Sequence, residues 1–416
     1  MYYVGIDIAK NFHIITIIDE NEVKVFKKAF RVENDLDGYT GFIEKLETIS
    51  LDKTNFLIGI EATGIYGENI LEFLKLKAYN VKLLNPFQTS RYREQTTMKK
   101  VKNDNIDSLM IALFLKDGKY SEGYVTDDEY QSLRTLYRNR ASIQNDMKDL
   151  KKRILTNLAV TFPEFEYIIN PFTNVGLALL DKYPTAQHYK HSSVDRIIKV
   201  FRHIQGNNFT NEKALQLLQA SNNSVYSGKA KDARAIAIKS SIRLLKLYLE
   251  EINILEQEIF NLLTSSNISN EQFEEIIQAD TKSTTLINNL TSIPGVAHKT
   301  IAAIISECGD LTRFPNSAKF IGYLGLFPTE NSSGNSKDTG HLSKRGSSIA
   351  KQALYMSSVG CLLHNSELKN LYITKKSQGK SKKEAIIAVS RKLATIIYAI
   401  FKYNTPYNPN RVFAKS

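Results

Sequence analysis

Tyr2-Tyr3-Val4-Gly5-Ile6-Asp7-Ile8 and, after a short Ala9-Lys10-Asn11 turn, Phe12-His13-Ile14-Ile15-Thr16-Ile17-Ile18 open the chain with two runs of β-branched and aromatic residues. Such runs predict two strands in sequence. Over residues 22–32, Val23, Val25, Phe26, Phe30 and Val32 alternate with lysines, which predicts a half-exposed third strand. From Leu36 to Ile49 the pattern changes to helical spacing, with Phe42, Ile43 and Leu46 on one side. Phe56 to Ile60 reads as a short apolar strand ending at Glu61, followed by a helix from Tyr66 to Leu76. Val81 to Leu84 reads as a buried strand stopped by Asn85-Pro86, and a further helix starts near Asn103 and runs through Ile106, Leu109, Met110 and Leu113.

The order βββ-α-β-α-β-α matches a ribonuclease H-like arrangement, a mixed central sheet with helices on both faces. Beyond it the chain turns helical. Leu133, Leu136, Ile143, Met147, Leu150, Ile154 and Leu158 recur at threes and fours in a stretch without glycine. Ile236, Ile242, Leu245, Leu249, Ile252, Leu255 and Leu262 repeat the theme over 230–263. Two long amphipathic helices of this kind can pair within one chain, pair between chains as a coiled coil, or pack on a neighbouring domain. The expected organisation is an α/β domain over 1–125, a helical coiled-coil and oligomerisation region over 126–280, and a mainly helical domain over 281–416.

With 416 residues, 42% of them hydrophobic and 24% charged, the chain can bury more than one core. Its net charge of +12 is unevenly placed. From Arg313 onward seventeen lysines and arginines face four acids, so the last quarter carries the whole positive field. A concentrated field of that sign points to a polyanion, with nucleic acid ahead of an anionic membrane, or else to a solubilising surface. Two cysteines, Cys308 and Cys361, exclude a disulfide framework and a thiolate zinc cluster. The opening residues carry no basic leader or apolar signal core, and no apolar run reaches eighteen residues. The expectation is a cytoplasmic, nucleoid-associated prokaryotic protein without a membrane partner.

Four acids stand out in the first domain. Asp7 lies between Ile6 and Ile8, and Glu61 follows Leu57-Ile58-Gly59-Ile60; an acid in an apolar strand is costly without a partner. Asp104 and Asp107 open a helix three residues apart, a place the helix dipole also favours for any acid. In a ribonuclease H-like sheet all four could converge at one end, where mutual repulsion requires cations. Magnesium suits hard oxygen ligands, and two such ions about 4 Å apart clamp both oxygens of a phosphodiester displacement. Manganese is the alternative ion.

Leu290-Thr291-Ser292-Ile293-Pro294-Gly295-Val296, followed by Thr300-Ile301-Ala302, has the look of a helix-hairpin-helix. Its Pro294-Gly295 turn would free backbone N–H groups for DNA phosphate, although Pro-Gly also serves as plain punctuation between helices. Asn331-Ser332-Ser333-Gly334 and, about a dozen residues on, Ser343-Lys344-Arg345-Gly346 place a serine in a polar loop with two cations behind it. That set fits a phosphoryl-transfer nucleophile with charge-neutralising neighbours, while Ser-Gly is also the commonest flexible-loop chemistry.

Together these blocks resemble a known family. Gly5-Ile6-Asp7-Ile8-Ala9-Lys10, Gly59-Ile60-Glu61-Ala62-Thr63-Gly64 and Lys102-Asn103-Asp104-Asn105-Ile106-Asp107 are similar to the three blocks of the DEDD transposases related to the Piv invertase, the insertion-sequence 110 family with its 1111 subgroup. Phe162-Pro163-Glu164-Phe165, Leu180-Asp181-Lys182-Tyr183-Pro184-Thr185, Ile293-Pro294-Gly295-Val296, Gly325-Leu326-Phe327-Pro328, Ser333-Gly334 and Ser343-Lys344-Arg345-Gly346 follow in the family's order, from about residue 3 to about residue 360. The resemblance implies a RuvC-like catalytic domain with Asp7, Glu61, Asp104 and Asp107 as magnesium ligands, and a transposase domain with an essential serine, which maps to Ser333 with Ser332 as its neighbour. It implies composite sites in which a serine from another subunit attacks a DNA phosphodiester and holds the strand as a phosphoserine. It also implies double-stranded DNA partners (element ends and target), a structured noncoding guide RNA (the bridge RNA), and homodimers or homotetramers. Pro294, Gly295, Lys344 and Arg345 are the expected nucleic-acid contacts. Lys375-Lys376, Lys380 and Lys382-Lys383 lie in a tail less covered by the resemblance, as a phosphate contact or a solvated basic helix. Two other readings stay open: a junction-type nuclease using the carboxylates and water, and a non-catalytic RNA-binding or repressor protein; an actin- or sugar-kinase-like phosphotransferase would need a second glycine-rich phosphate loop and an adenosine pocket, and the sequence shows neither.

Overall fold

The computed structural model describes the chain apart from residues 62–63, 97–103, 121–122, 124–126, 205–208, 265–279, 328–331, 334–335, 338–341 and 412–416. It divides into two compact units, Met1–Thr126 and Asp127–Ser416.

The first unit is built on strands β1 (Tyr2–Ile8), β2 (Phe12–Ile18), β3 (Phe30–Glu33), β4 (Phe56–Glu61) and β5 (Asn80–Leu84), in the order β3-β2-β1-β4-β5. β1 runs antiparallel to β2 and parallel to β4, and β5 is parallel to β4. Helices α1 (Leu36–Glu47), α2 (Glu68–Leu76), α3 (Pro86–Thr96) and α4 (Asp104–Lys116) complete the unit. Alternation along the strands sends side chains to two faces. Val4, Ile6, Ile58 and Ile60 share one core with Phe42 and Leu46 of α1 and Ile70 and Leu74 of α2. Tyr3 and Leu57 point the other way, into a core with Ile111, Phe114 and Leu115 of α4. The helix can lie against this second face because the strands present glycine there. A Cβ on Gly5 would fall 2.0 Å from the Ser108 carbonyl oxygen and 2.5 Å from the Ala112 nitrogen, and one on Gly59 2.5 Å from a Leu115 methyl. A buried hydroxyl pair, Thr16 Oγ1 and Ser108 Oγ at 2.8 Å, fixes α4 to β2 as well.

Two details differ from the sequence reading. The third strand covers Phe30–Glu33 only, instead of 22–32. Asp19 accepts from the backbone N–H groups of Asn21 and Val23, so a tight turn takes up the first part of that run. Val23 and Val25 are left exposed with no face to cover. Conversely, Asn85-Pro86 does more than stop β5: Asn85 Oδ1 accepts from Phe87 N–H at 2.9 Å and Pro86 takes the first helical position, so the pair starts α3.

The second unit is helical. α5 (Asp128–Thr161) is followed by the short helices α6 (Phe165–Ile168), α7 (Asn174–Lys182), α8 (Ala186–Lys190), α9 (Val194–Phe201) and α10 (Asn211–Asn223), then by α11 (Lys231–Thr264). The two long helices pack antiparallel within the chain. Ile154 and Leu158 meet the core of Ile238, Ile242 and Leu245, while Tyr130, Leu133 and Tyr137 share the other core with Ile259 and Leu263. The chain continues through α12 (Asp280–Thr291), α13 (His298–Cys308), α14 (Ser317–Leu324), the two-residue strands β6 (Ser332–Ser333) and β7 (Ser336–Lys337), α15 (Ser348–His364), α16 (Ser366–Ser377) and α17 (Lys382–Tyr403). Cys308 and Cys361 are buried free thiols, and burial raises their pKa to about 12 and about 11. Among the described residues no helix is long and apolar enough to cross a membrane.

Candidate active site

Parallel pairing sets Gly5 beside Gly59 and Ile6 beside Ile60, so Asp7 and Glu61 follow at the same ends of neighbouring strands. Each lies two residues beyond its glycine, so both carboxylates belong to the face that α4 covers. Asp107 enters from that helix one residue before Ser108, whose carbonyl sits over Gly5. The outcome is a polar cleft of roughly 280 Å³ lined by Asp7, Glu61 and Asp107, together with Ile8, Met110 and Ile111 and with Thr89, Ser90 and Arg93 of α3. Asp104 begins α4 one turn earlier; its side chain lies outside the described residues.

Arg93 is the residue that sequence reasoning missed. Its Nη1 donates to Asp107 Oδ1 at 2.6 Å. That bond, together with the charges of Asp107, Glu61 and Glu94, pushes the guanidinium pKa above its ordinary value despite partial burial. Among the described residues no three acids, histidines or cysteines are gathered tightly enough to cage an ion as they stand. The donor chemistry nevertheless fits a hard divalent cation, since three carboxylates line one polar cleft.

The expected nucleophile lies in the second unit. Ser332–Ser333 pairs antiparallel with Ser336–Lys337, Ser333 opposite Ser336; the side chains of these residues are outside the described set. The base of this segment is held by backbone bonds. Ser343 N–H donates to the Phe327 carbonyl at 3.0 Å, and Lys351 Nζ of α15 donates to the carbonyls of Ser343 (3.1 Å) and Arg345 (2.7 Å). Gly325 and Gly346 interlock there at positive φ; a Cβ on Gly325 would fall 2.0 Å from the Arg345 carbonyl oxygen. Lys344 and Arg345 are exposed beside this clamp.

Pro294 and Gly295 form the turn between α12 and α13. Gly295 has φ +94°, and its missing Cβ lets α15 approach: a methyl there would lie 2.6 Å from the Cys361 nitrogen. Ser357 Oγ donates to the Gly295 carbonyl at 3.0 Å. The glycine thus seats the turn on α15, while the first amides of α13 follow Ala297, which supplies no side-chain cap. The basic residues of the tail fall on two helices, with Lys375 and Lys376 in the last turn of α16 and Lys382 and Lys383 opening α17.

Comparison with known proteins adds two matches. Residues 4–163 match the DEDD transposase family of the insertion sequence IS110, and residues 287–373 match the transposase family IS116/IS110/IS902. An uncharacterized 43.6 kDa protein of insertion element IS110 from Streptomyces coelicolor is 28% identical over 38% of this chain and 38% of its own length. The transposase for insertion sequence element IS1111A from Coxiella burnetii is 28% identical over 32% of this chain and 38% of its own. The pilin gene-inverting protein of Moraxella bovis is 31% identical over 29% of this chain and 38% of its own. The chain thus spans about two fifths of the length of each of these relatives. With one match over the acid-bearing unit and a second over the serine-bearing one, the chain carries both transposase domains of the IS110/IS116 family and belongs to that family.

Proposed function

We propose that this chain is a transposase and site-specific DNA recombinase that excises and inserts its own insertion element. The observation that carries the reading is the convergence of Asp7, Glu61 and Asp107 on one polar cleft, inside the region that matches the DEDD transposases. The sheet order β3-β2-β1-β4-β5, with helices on both faces, supports a RuvC-like assignment for that unit. In this reading Asp7, Glu61 and Asp107, with Asp104, hold magnesium. When bound, the metal supplies charge neutralisation at the scissile phosphodiester. Ser333 is the attacking hydroxyl: its oxygen bonds to phosphorus, the sugar hydroxyl of the cut strand leaves, and the strand is kept as a phosphoserine. In this reading Lys344 and Arg345, exposed beside the clamped base of the loop, bind phosphate. The basic last quarter suits double-stranded DNA and a structured guide RNA, and we assign a homodimer or homotetramer as the working form.

The test incubates protein, copurified RNA, magnesium and element-end DNA, then looks for a protein–DNA adduct under denaturing conditions. The expected result is an adduct in the wild type and in Ser332→Ala, none in Ser333→Ala, and no strand cleavage in Asp7→Asn. An adduct persisting in Ser333→Ala moves the nucleophile elsewhere, and hydrolysed ends without any adduct favour a junction-type nuclease. Sequencing the copurified RNA identifies the guide.

A further inference from the structure

The acid cleft contains one group that a cation site does not call for. Arg93 sits about 31% exposed on α3 with its Nη1 on Asp107 Oδ1 at 2.6 Å, whereas Asp107 itself is only about 9% exposed. The same guanidinium lines the cleft with Asp7 and Glu61 and lies within the field of Glu61. An arginine cannot be relieved of its charge by deprotonation in water. A divalent ion bound by Asp107 would therefore compete with the guanidinium for the same carboxylate and repel it at close range. The two cannot both hold Asp107 fully.

We propose that Arg93 is a latch on the cation site: it holds Asp107 in place while no divalent ion is bound and must release it for the ion to load. This rests on the reading of the cleft as a cation site. Arg93 is a positioning residue with two effects. It keeps a nearly buried carboxylate paired and correctly aimed. It also lowers the cleft's affinity for divalent ions, so that an ion loads more readily where something else attracts the guanidinium away. A nucleic-acid phosphate is the natural competitor, because a guanidinium binds phosphate in the same bidentate way as carboxylate. Partial exposure gives the side chain a route outward. Loading would then be coupled to the arrival of DNA.

The alternative is that Arg93 merely ties α3 to α4, and the two ideas predict opposite signs. The measurement is manganese titration of the full chain without nucleic acid, by electron paramagnetic resonance of the free ion, for wild type, Arg93→Gln, Arg93→Lys and Asp107→Asn. The latch predicts that Arg93→Gln binds manganese about tenfold more tightly than wild type, the scale of one lost charge-assisted hydrogen bond. It predicts that Arg93→Lys, which keeps the charge but not the planar fork, falls between them, and that Asp107→Asn binds weakly. Adding short duplex DNA should tighten manganese binding in the wild type and much less in Arg93→Gln. Equal or weaker binding by both Arg93 variants, with Asp107→Asn still impaired, overturns the latch and leaves the cation site standing. No binding by any of the proteins, with or without DNA, overturns both.

Discussion

In the N-terminal unit Asp7 and Glu61 are placed by the register of two parallel strands, and Asp107 by a helix that crosses them at Gly5 and Gly59. In the C-terminal unit Ser332–Ser333 belongs to a two-residue strand pair whose base is tied by backbone carbonyls to a single lysine, Lys351. The first arrangement is built into a core, so it moves only when the sheet and helix move. The second is a two-residue strand pair hung on a base that the Gly325–Gly346 approach and a few polar bonds fix. Damage to the first should therefore be large and should spread through the unit, whereas damage to the second should be small and confined to chemistry.

The sharpest way to break this contrast is Gly5→Ala. The new methyl would meet backbone atoms of Ser108 and Ala112, neither of which can rotate away, so α4 must lift from the sheet. The expected cost is about 3 kcal/mol, toward the upper end for overpacked cores. Hydrogen exchange should show lost protection along α4 and β2, and strand cleavage should disappear with it. If exchange on α4 is unchanged while cleavage falls, the glycine acts on the cleft directly and the register argument fails.

Lys351→Met tests the other side. It removes the charged donor to the Ser343 and Arg345 carbonyls but keeps most of the side-chain volume. We expect thermal unfolding to shift by only a few degrees, in line with one or two lost hydrogen bonds. The yield of covalent adduct should drop by roughly tenfold, since misplacing a reacting group by a fraction of a bond length is costly to rate. Lys351→Arg should restore part of it. Manganese binding should not respond, because the acids lie in the other unit.

What could be read from the sequence follows the same division. Asp7 between two isoleucines and Glu61 after an apolar run were visible because an acid in a buried strand costs several kcal/mol, and a chain that keeps one there needs a use for it. The pleat then links each to the glycine two residues before. Arg93 had no such signal. The helix that carries it, Pro86–Thr96, is mostly polar and, with Phe87 and Tyr92 as its large apolar side chains, shows no apolar stripe, and Asn85-Pro86 reads as an ending although it is a cap and a first turn. The third strand is shorter than its sequence pattern suggests for a related reason: alternation with lysine is as good a pattern for an exposed turn and edge as for a paired strand. Ser333 carries no energetic oddity, since serine beside glycine is cheap in any loop. Only the resemblance to a family singled it out.

The smallest expected effect concerns how the second unit holds its helices together. Glu307 of α13 is almost fully buried and is gripped by Arg138 of α5 through two bonds, Nε to Oε1 at 2.9 Å and Nη2 to Oε2 at 3.0 Å. Burial alone would raise the carboxyl pKa, but the Arg138 guanidinium, together with the Ser347 hydroxyl and the Arg134 charge, outweighs it and holds Glu307 below its ordinary 4.5. A depressed carboxylate contributes stability that is present above the unfolded pKa and is lost as pH falls through the folded one. The pair therefore supports the α5–α13 packing at neutral pH and weakens below about pH 4.5. Arg138→Met removes the bidentate partner of the buried carboxylate and leaves it the Ser347 hydrogen bond and the Arg134 charge, at a cost of about 1–2 kcal/mol, low for a buried ion because Arg138 is itself more than half exposed and screened. Acid unfolding followed by exchange at α13 should then begin at a higher pH than in wild type. Glu307→Gln, with no charge to desolvate, should flatten the dependence in the same range. An acid midpoint that ignores both substitutions would mean that apolar packing alone fixes α13 against α5.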